Sequence, residues 1–263
     1  MKIVTMTAST IKCLLLILSA SILIISCAAD GQSSSPESDS ATSVQDSKQI
    51  LVFSKTAGWR HQSIETGQDA LQSLGEQHNV GVTVSEDASM FNPDTLAMYD
   101  AVVFLNTTGT IFNDQQRSAF EEYIQNGGGY VGIHSAADTE YDWPWYGNLM
   151  GAYFDNHPPG TPNADVLVQD DGHSATEMLP DVWNRDDEWY NYQEFKDHIN
   201  VLLSLDTDSY EGSDHLGNHP IAWYHEYDGG RAFYTGLGHT KAAFSDDLFQ
   251  QHVWGGIEYA MSE

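Results

Sequence analysis

Three histidines and one glutamate stand where a metal or acid–base centre needs them. His61 follows the first predicted strand, His134 follows the fourth, and His239 follows a late strand, whereas Glu188 belongs to an aromatic-rich segment. Because the carboxyl ends of parallel strands meet at one edge of a sheet, the three imidazoles can converge there with Glu188 folded over them. Imidazole nitrogens and a carboxylate oxygen suit a divalent metal such as zinc. We therefore expect His61, His134, Glu188 and His239 to bind such a metal.

The same histidines also have a plainer interpretation. A single histidine at a strand end more often caps a loop or donates to a backbone carbonyl, and no His-Glu-x-x-His or comparable local motif is present. His157 and His219, which each precede a proline, are expected to form hydrogen bonds within loops. Metal ligation and structural hydrogen bonding are thus both open from the sequence alone.

Carboxylates close to His134 extend the candidate site. Asp138 and Glu140 follow it closely and can act as general acid or base, because neighbouring carboxyl groups take different pKa values. Asp138 can equally cap the next short helix. His134, Asp138 and Glu188 are the candidate catalytic residues. Ser135 is a weaker candidate nucleophile, since it needs a base beside it.

Aromatic residues near these positions indicate a sugar-binding surface. Four aromatic side chains lie within residues 141–146, and the apolar faces of sugar rings stack on such groups. They can instead form a small core that holds this segment onto the sheet. Trp143, together with Trp59 and Trp189 beside candidate site residues, is a candidate substrate-binding residue.

The elements that position these residues alternate between strand and helix. Helical spacing runs through 64–74, where Gly75 is expected to end the helix, and a later helix begins with a capping box on Asn113 and Gln116. Apolar runs predict strands at 49–53, 80–84, 99–105 and 130–133. This alternation predicts an α/β fold with a flavodoxin-like, doubly wound, mainly parallel sheet.

The second half of the chain is less regular. Residues 139–198 are rich in tryptophan and tyrosine and contain five prolines, and we expect them to form an aromatic-rich insertion over the carboxyl edge of the sheet. Further strands are predicted at 201–205, 220–224 and 231–235, the last two joined by a glycine turn, and a closing helix at 242–261.

Six motifs follow one another, in order, within the region from about residue 49 to the end of the chain. They are Gly58-Trp-Arg-His61, Gly127-Gly-Gly-Tyr-Val-Gly-Ile-His134-Ser-Ala-Ala-Asp-Thr-Glu140, Tyr141-Asp-Trp-Pro-Trp-Tyr146, Asp187-Glu-Trp-Tyr190, His219-Pro-Ile-Ala-Trp223 and Gly236-Leu-Gly-His-Thr240. Together they resemble the ThuA-like family, which is named for trehalose utilisation and is related to class I glutamine amidotransferases. The resemblance implies a flavodoxin-like domain of carbohydrate catabolism whose partners are a carbohydrate or keto-sugar small molecule and a sugar dehydrogenase of the same pathway.

The chain departs from the amidotransferase relatives at the nucleophile. Their Gly-x-Cys-x-Gly elbow needs a thiolate, whereas the corresponding stretch here is Gly132-Ile-His134-Ser-Ala136. Histidine cannot form the thioester intermediate, so glutamine hydrolysis is not expected. The leading hypothesis is an enzyme that isomerises, eliminates from or hydrolyses a sugar or keto-sugar through a His/Glu site. The alternative is a non-catalytic carbohydrate-binding lipoprotein on an inactive scaffold.

The first residues resemble a bacterial lipoprotein signal. A short apolar stretch ends in Ile-Ile-Ser-Cys27, which predicts a signal peptide at 1–26, lipidation of Cys27, a flexible tether over 27–48 and the folded domain at 49–263. Ala28 and Ala29, and no aspartate, directly follow the cysteine. The resemblance therefore implies a lipid-anchored protein of the bacterial cell envelope, at the outer rather than the inner membrane.

Charge and cysteine content exclude other classes of function. The formal net charge of −28 repels phosphate backbones and anionic lipids, so we expect no nucleic-acid partner and contact with the membrane only through the lipid. No nucleotide cofactor is expected. Cys13 lies in the signal peptide, which leaves Cys27 alone after cleavage and excludes an intramolecular disulfide or a cysteine metal site in the domain.

Overall fold

The computed structural model describes residues 47–262. The predicted signal peptide, Cys27 and nearly all of the predicted tether lie outside this range. In the range itself, no helix combines the length and the apolar character that a membrane span requires.

Within residues 47–262, eleven strands form two sheets. They are β1 Gln49–Phe53, β2 Gly81–Ser85, β3 Ala101–Leu105, β4 Gly129–Ile133, β5 Tyr153–Asn156, β6 Asn163–Val168, β7 Val182–Asp186, β8 Asn191–Gln193, β9 Asn200–Leu205, β10 His219–Tyr227 and β11 Gly230–Thr235. The main sheet has nine strands in the order β2-β1-β3-β4-β11-β10-β9-β6-β7, and β5 pairs with β8 in a separate two-stranded sheet.

The main sheet has a parallel half and an antiparallel half. All pairs from β2 to β11 are parallel, and all pairs from β11 to β7 are antiparallel. The order β2-β1-β3-β4-β11 is the flavodoxin order, with β11 as the fifth strand. Since each antiparallel pairing reverses direction, only β10 and β6 run against the other strands. The predicted flavodoxin-like, mainly parallel α/β fold is confirmed.

The described part of the chain contains five α-helices, of which the last follows the final strand: α1 Ile64–His78, α2 Pro93–Leu96, α3 Asp114–Gln125, α4 Pro144–Met150 and α5 Asp247–Ala260. The capping box at the start of α3 is present as predicted. Phe104 of β3 stacks on Phe120 of α3 at 5.4 Å, whereas the next residue, Leu105, lies against Gly67 of α1. Successive strand residues point to opposite faces, so α1 and α3 cover opposite sides of the sheet.

Two predicted helix boundaries are wrong. α1 continues through Gly75 to His78, and its C-cap residue Asn79 has a left-handed φ of 59°. A Cβ at Gly75 would lie 2.3 Å from a methyl group of Val82, so glycine is needed there for close packing and does not stop the helix. At the other end of the domain, α5 starts after Asp246, whose carboxylate accepts from the first turn. A separate 3-10 turn precedes it.

The prediction for residues 139–198 was incomplete. The sheet of β5 and β8 belongs to this segment, but β6 and β7 extend the main sheet at its antiparallel edge. β7 alternates strictly between exposed and buried residues, which is the period of a half-buried strand. The segment therefore brings Glu188, which follows β7, to the site from the antiparallel half.

His252 of α5 gives the stability of the fold a pH dependence. Its ring is fully buried and bonds to the carbonyl of Ala175 and the hydroxyl of Thr235. Burial lowers the pKa of His252 from 6.5 to about 4. Between pH 4 and pH 6.5, His252 is therefore protonated in the unfolded chain and neutral in the folded chain. The free energy of unfolding should therefore fall as the pH decreases from 6.5 to 4, by up to about 3 kcal/mol from this group.

Urea unfolding at pH 7 and pH 5 measures this contribution. We expect His252→Gln to lose less stability than the wild type over this interval. Ile257→Val, a core change in the same helix that does not titrate, should lower stability by about 1 kcal/mol at both pH values. Equal pH dependence in the wild type and His252→Gln would contradict the assignment.

Candidate metal centre

Four side chains converge at the carboxyl edge of the parallel strands. His61 lies in the loop after β1, His134 directly follows β4, His239 lies in the loop after β11, and Glu188 follows β7. One ligand atom from each lies within 4.8 Å of those of the other three. The imidazole centroids are 4.9 to 5.2 Å apart, and their planes are inclined by 75 to 89°. The structure thus brings together the four residues predicted as metal ligands.

His134 is held in one orientation by its backbone and by one hydrogen bond. Its φ of 50° is left-handed, a conformation that non-glycine residues adopt mainly where tertiary contacts enforce it. Nδ1 lies 2.8 Å from the carbonyl oxygen of Gly236, and since a carbonyl only accepts, Nδ1 must carry the proton. In the neutral ring, Nε2 therefore presents a lone pair to the centre. The ring packs on Tyr190 at 4.2 Å.

Glu188 and His239 surround that lone pair. Glu188 Oε2 lies 3.3 Å from His134 Nε2 and 3.0 Å from His239 Nδ1, and the two nitrogens are 3.3 Å apart. Ligands about 2.1 Å from a tetrahedral ion are about 3.4 Å from one another. These three separations therefore fit ligands of a single ion.

The contact between Glu188 and His239 shifts the pKa values of both side chains. Burial alone would raise the pKa of Glu188, but the neighbouring imidazoles of His134 and His239 hold it well below its ordinary range. Burial likewise acts to lower the pKa of His239, and the hydrogen bond and charge of Glu188 outweigh it and raise that pKa. Glu188 is thus ionised at neutral pH.

His61 supplies a neutral imidazole. Burial, and then the neighbouring His134 and His239, lower the pKa of His61 to about 3. Its Nδ1 lies 3.2 Å from Ser135 Oγ. A proton on Nδ1, donated to this hydroxyl, leaves the Nε2 lone pair as a ligand. Ser135, the weaker candidate nucleophile, therefore has an imidazole beside it.

The loop before His61 is fixed by Thr108. The backbone of Ala57 donates to the Thr108 carbonyl at 2.7 Å, and the Thr108 hydroxyl accepts from Gly58 at 3.1 Å and donates to the Trp59 carbonyl at 2.9 Å. This rigid loop carries Trp59, whose surface is 70% exposed. Trp59 is therefore accessible from solvent, and its role as a substrate-binding residue stays a prediction.

Gly238 shapes the loop before His239. Its φ of 112° is accessible only to glycine at low energy, and a Cβ there would lie 3.0 Å from a methyl of Ile133 and 3.2 Å from Phe249. Its carbonyl accepts from the Ser63 hydroxyl at 3.2 Å and from the Asn106 amide at 3.4 Å. The loop is thereby tied to the segments that follow β1 and β3.

The carboxylates after His134 differ in their surroundings. Asp138 is half-buried and accepts from the Tyr141 hydroxyl at 2.8 Å. Burial raises the pKa of Asp138. It caps no α-helix, because the N-cap position of α4 is Trp143. Glu140 is fully buried, and its carboxylate binds two backbone amides and Arg117, so it holds the loop after β3 in place.

Two predicted substrate-binding residues need correction. Trp143 is buried against Trp145 and α4 and donates to Glu121, and Trp189 is fully buried and donates to the Pro162 carbonyl at 2.7 Å. Neither ring has a face that a sugar can reach. Both belong to the core of the insertion, which is the alternative that the sequence left open for this segment.

His157 was missed as a neighbour of the centre. Its Nδ1 lies 3.4 Å from Glu188 Oε1 and 2.9 Å from the carbonyl of Pro158. The bond to the Pro158 carbonyl is the predicted loop bond, whereas the contact with Glu188 was not predicted. No spacing in the sequence signals the first, because tertiary folding alone brings these segments together. His219 does form the predicted structural bonds, to Tyr210 and to the Tyr190 carbonyl.

The architecture matches known proteins. The family model described as ThuA, trehalose utilisation, matches residues 49–260. Among solved structures, the chain is similar to a putative ThuA-like protein from Bacteroides uniformis, with 22% identity and a TM-score of 0.69 over 81% of this chain and 91% of that one. A putative ThuA-like protein from Parabacteroides merdae gives 21% identity and a TM-score of 0.66 over 82% and 90%.

No curated protein matches the chain by sequence. The identities to the two solved structures are low, so these two likenesses concern the fold alone, and they agree with the flavodoxin-like sheet. The family model, in contrast, spans most of the chain, from the start of β1 to the end of α5. The chain therefore belongs to the ThuA family.

Proposed function

We propose that this protein acts on a sugar or keto-sugar in carbohydrate catabolism through a divalent metal held by His61, His134, Glu188 and His239. The observation that carries the proposal is the convergence of three imidazoles and one carboxylate at the carboxyl edge of the parallel strands. Open α/β sheets bind their ligands at that edge.

The donor set fits a cation. His134 has its proton on Nδ1 and thus none to give to Glu188 or His239, although its Nε2 lies 3.3 Å from both. His134 Nε2 and Glu188 Oε2 therefore face each other as two acceptors, which repel unless a positive charge lies between them. Neutral imidazole nitrogen with carboxylate oxygen is a typical zinc set, and related transition metals use it as well.

When bound, such an ion would polarise a carbonyl or lower the pKa of a bound water. The protein's own groups would bind and orient the substrate around it. Asp138, half-buried beside the site, is placed to exchange a proton, and the exposed Trp59 offers a ring face to the sugar. Isomerisation, elimination and hydrolysis all use a base next to a polarised oxygen. A sugar dehydrogenase of the same pathway would supply the keto-sugar.

Metal analysis of the purified protein tests the proposal. We expect about one equivalent of zinc or a similar ion, and we expect His134→Ala to weaken binding by more than the 10- to 100-fold typical of an outer-sphere change. His78→Ala, an exposed histidine in α1, is the control and should bind as the wild type does. Metal-free wild-type protein whose sugar affinity is unchanged in His134→Ala would support a non-catalytic binding protein instead.

The role of Trp59 can be separated from that of the metal. Trp59→Ala should weaken binding of trehalose or its keto derivative about fivefold, which corresponds to about 1 kcal/mol of stacking, with metal content unchanged. Trp143→Phe, a core change, should leave sugar affinity at the wild-type value. Isothermal titration measures both variants. Equal sugar affinity in Trp59→Ala and the wild type would remove Trp59 from the binding surface.

We also propose that Cys27 carries the lipid and anchors the protein in the bacterial cell envelope, at the outer membrane. The lipobox-like Ile-Ile-Ser-Cys27 supports this. Cys27→Ser should move the protein from the membrane to the soluble fraction and abolish labelling by a fatty-acid probe. Cys13→Ser, within the signal peptide, is the matched control and should stay in the membrane. Membrane association of Cys27→Ser without label would overturn the assignment.

A further inference from the structure

We propose that Asp187 is a positioning residue that sets the affinity of the metal centre. The inference rests on the proposed metal site. Asp187 does not face the centre itself. It joins the two chain segments that bring Glu188 and His239 to it, and these segments come from opposite halves of the sheet.

The carboxylate of Asp187 accepts three backbone hydrogen bonds. Oδ1 accepts from the amide of Glu188 at 3.0 Å and from that of His239 at 3.1 Å, and Oδ2 accepts from the amide of Gly238 at 3.0 Å. Asp187 is fully buried. One side chain thus holds the backbones of two candidate ligands in register.

The Gly238 peptide shows how far this restraint extends. Its amide donates to Asp187, and its carbonyl accepts from Ser63 and Asn106. Ser63 lies two residues after His61. The peptide before His239 is therefore clamped from both sides, and Asp187 is the clamp on the side of Glu188.

A buried carboxylate needs a compensating charge. Arg185 Nη2 lies 3.4 Å from Asp187 Oδ2, and its guanidinium stacks over Trp183 at 4.3 Å and near Phe249 at 5.1 Å. On its other side, Arg185 approaches Asp246 at 3.8 Å. Arg185 is thus flanked by two aspartates, of which only Asp187 touches the segments of the metal centre.

Preorganisation links this geometry to affinity. Two ligands that are already at 3.0 Å in the protein need little ordering when an ion binds, whereas loops that move independently must be ordered at that moment. Groups that orient metal ligands typically change metal affinity 10- to 100-fold when they are replaced. Asparagine at 187 would keep the shape but would place an amide donor where one oxygen now accepts, so at least one of the three backbone amides would face a donor and the two segments would be held less firmly.

The test compares Asp187→Asn with Asp246→Asn by zinc titration of the full chain. Asp246 caps α5 and also faces Arg185, and asparagine is an equally good N-cap. We expect at least a tenfold rise in the zinc dissociation constant for Asp187→Asn and a change below about twofold for Asp246→Asn. The visible absorption of the Co²⁺-loaded protein should change only for Asp187→Asn, because ligand geometry, unlike general stability, determines it.

Each outcome is informative. Wild-type affinity and Co²⁺ absorption in Asp187→Asn would overturn the positioning role and leave the metal proposal standing. Equal weakening in both variants would trace the effect to Arg185 and would also overturn it. A wild-type protein that binds neither ion would overturn the metal proposal and this inference with it.

A second pair of variants separates loss of metal affinity from a folding defect in Asp187→Asn. Without Asp187 the buried Arg185 loses its nearest countercharge, so the double variant Arg185→Met with Asp187→Asn removes the stranded charge. Arg185→Met alone is the reference for this pair. We expect the double variant to bind zinc at least tenfold more weakly than its reference, and equal affinity would contradict the inference.

Discussion

The hydrogen bond from His134 Nδ1 to the carbonyl of Gly236 is the interaction on which the centre depends. It fixes the tautomer, and with it the lone pair that faces Glu188 and His239. The bond exists because β11 lies next to β4 in parallel register, so that the residues after both strands leave the sheet at the same edge. Sheet topology and imidazole chemistry are therefore parts of one constraint.

The two halves of the sheet have different tasks around this bond. The parallel half supplies the three histidines from the ends of β1, β4 and β11, and the antiparallel half supplies the carboxylate after β7. An antiparallel strand next to β11 lets the chain return to the same edge without a helical crossover. The site thus lies between a flavodoxin-like core and its extension.

Part of the fold and of the candidate site could be predicted from local sequence patterns. Short-range patterns predict the apolar strands and the capping box at Asn113. The geometry of parallel strands then predicts that His61, His134 and His239 converge. The burial of Trp143 and Trp189 could not be predicted in this way, because an aromatic residue near a site has the same local pattern whether its ring packs into the core or faces solvent. Tertiary packing decides, and here both pack inward.

The contact between His157 and Glu188 and the end of α1 were unpredictable for the same reason. His157 reaches Glu188 across the fold. The sequence predicts that α1 ends at Gly75. In the structure, glycine is needed there because any side chain would clash with Val82 of the neighbouring strand. In each case the decisive atom belongs to another secondary-structure element, so the spacing within the first element carries no information about it.

Two adjacent acids in the centre differ in how their charge is compensated. Asp187 is neutralised inside the protein by Arg185 and three amides. Glu188, next to it, meets the imidazoles of His134 and His239, and His61 beside them is neutral at pH 7 because its pKa is about 3. The carboxylate of Glu188 therefore has no fixed guanidinium or ammonium beside it in the described part of the chain. A buried negative charge that faces imidazoles and no permanent positive charge attracts a cation, and this asymmetry between neighbours is the strongest physical argument for a metal at this position.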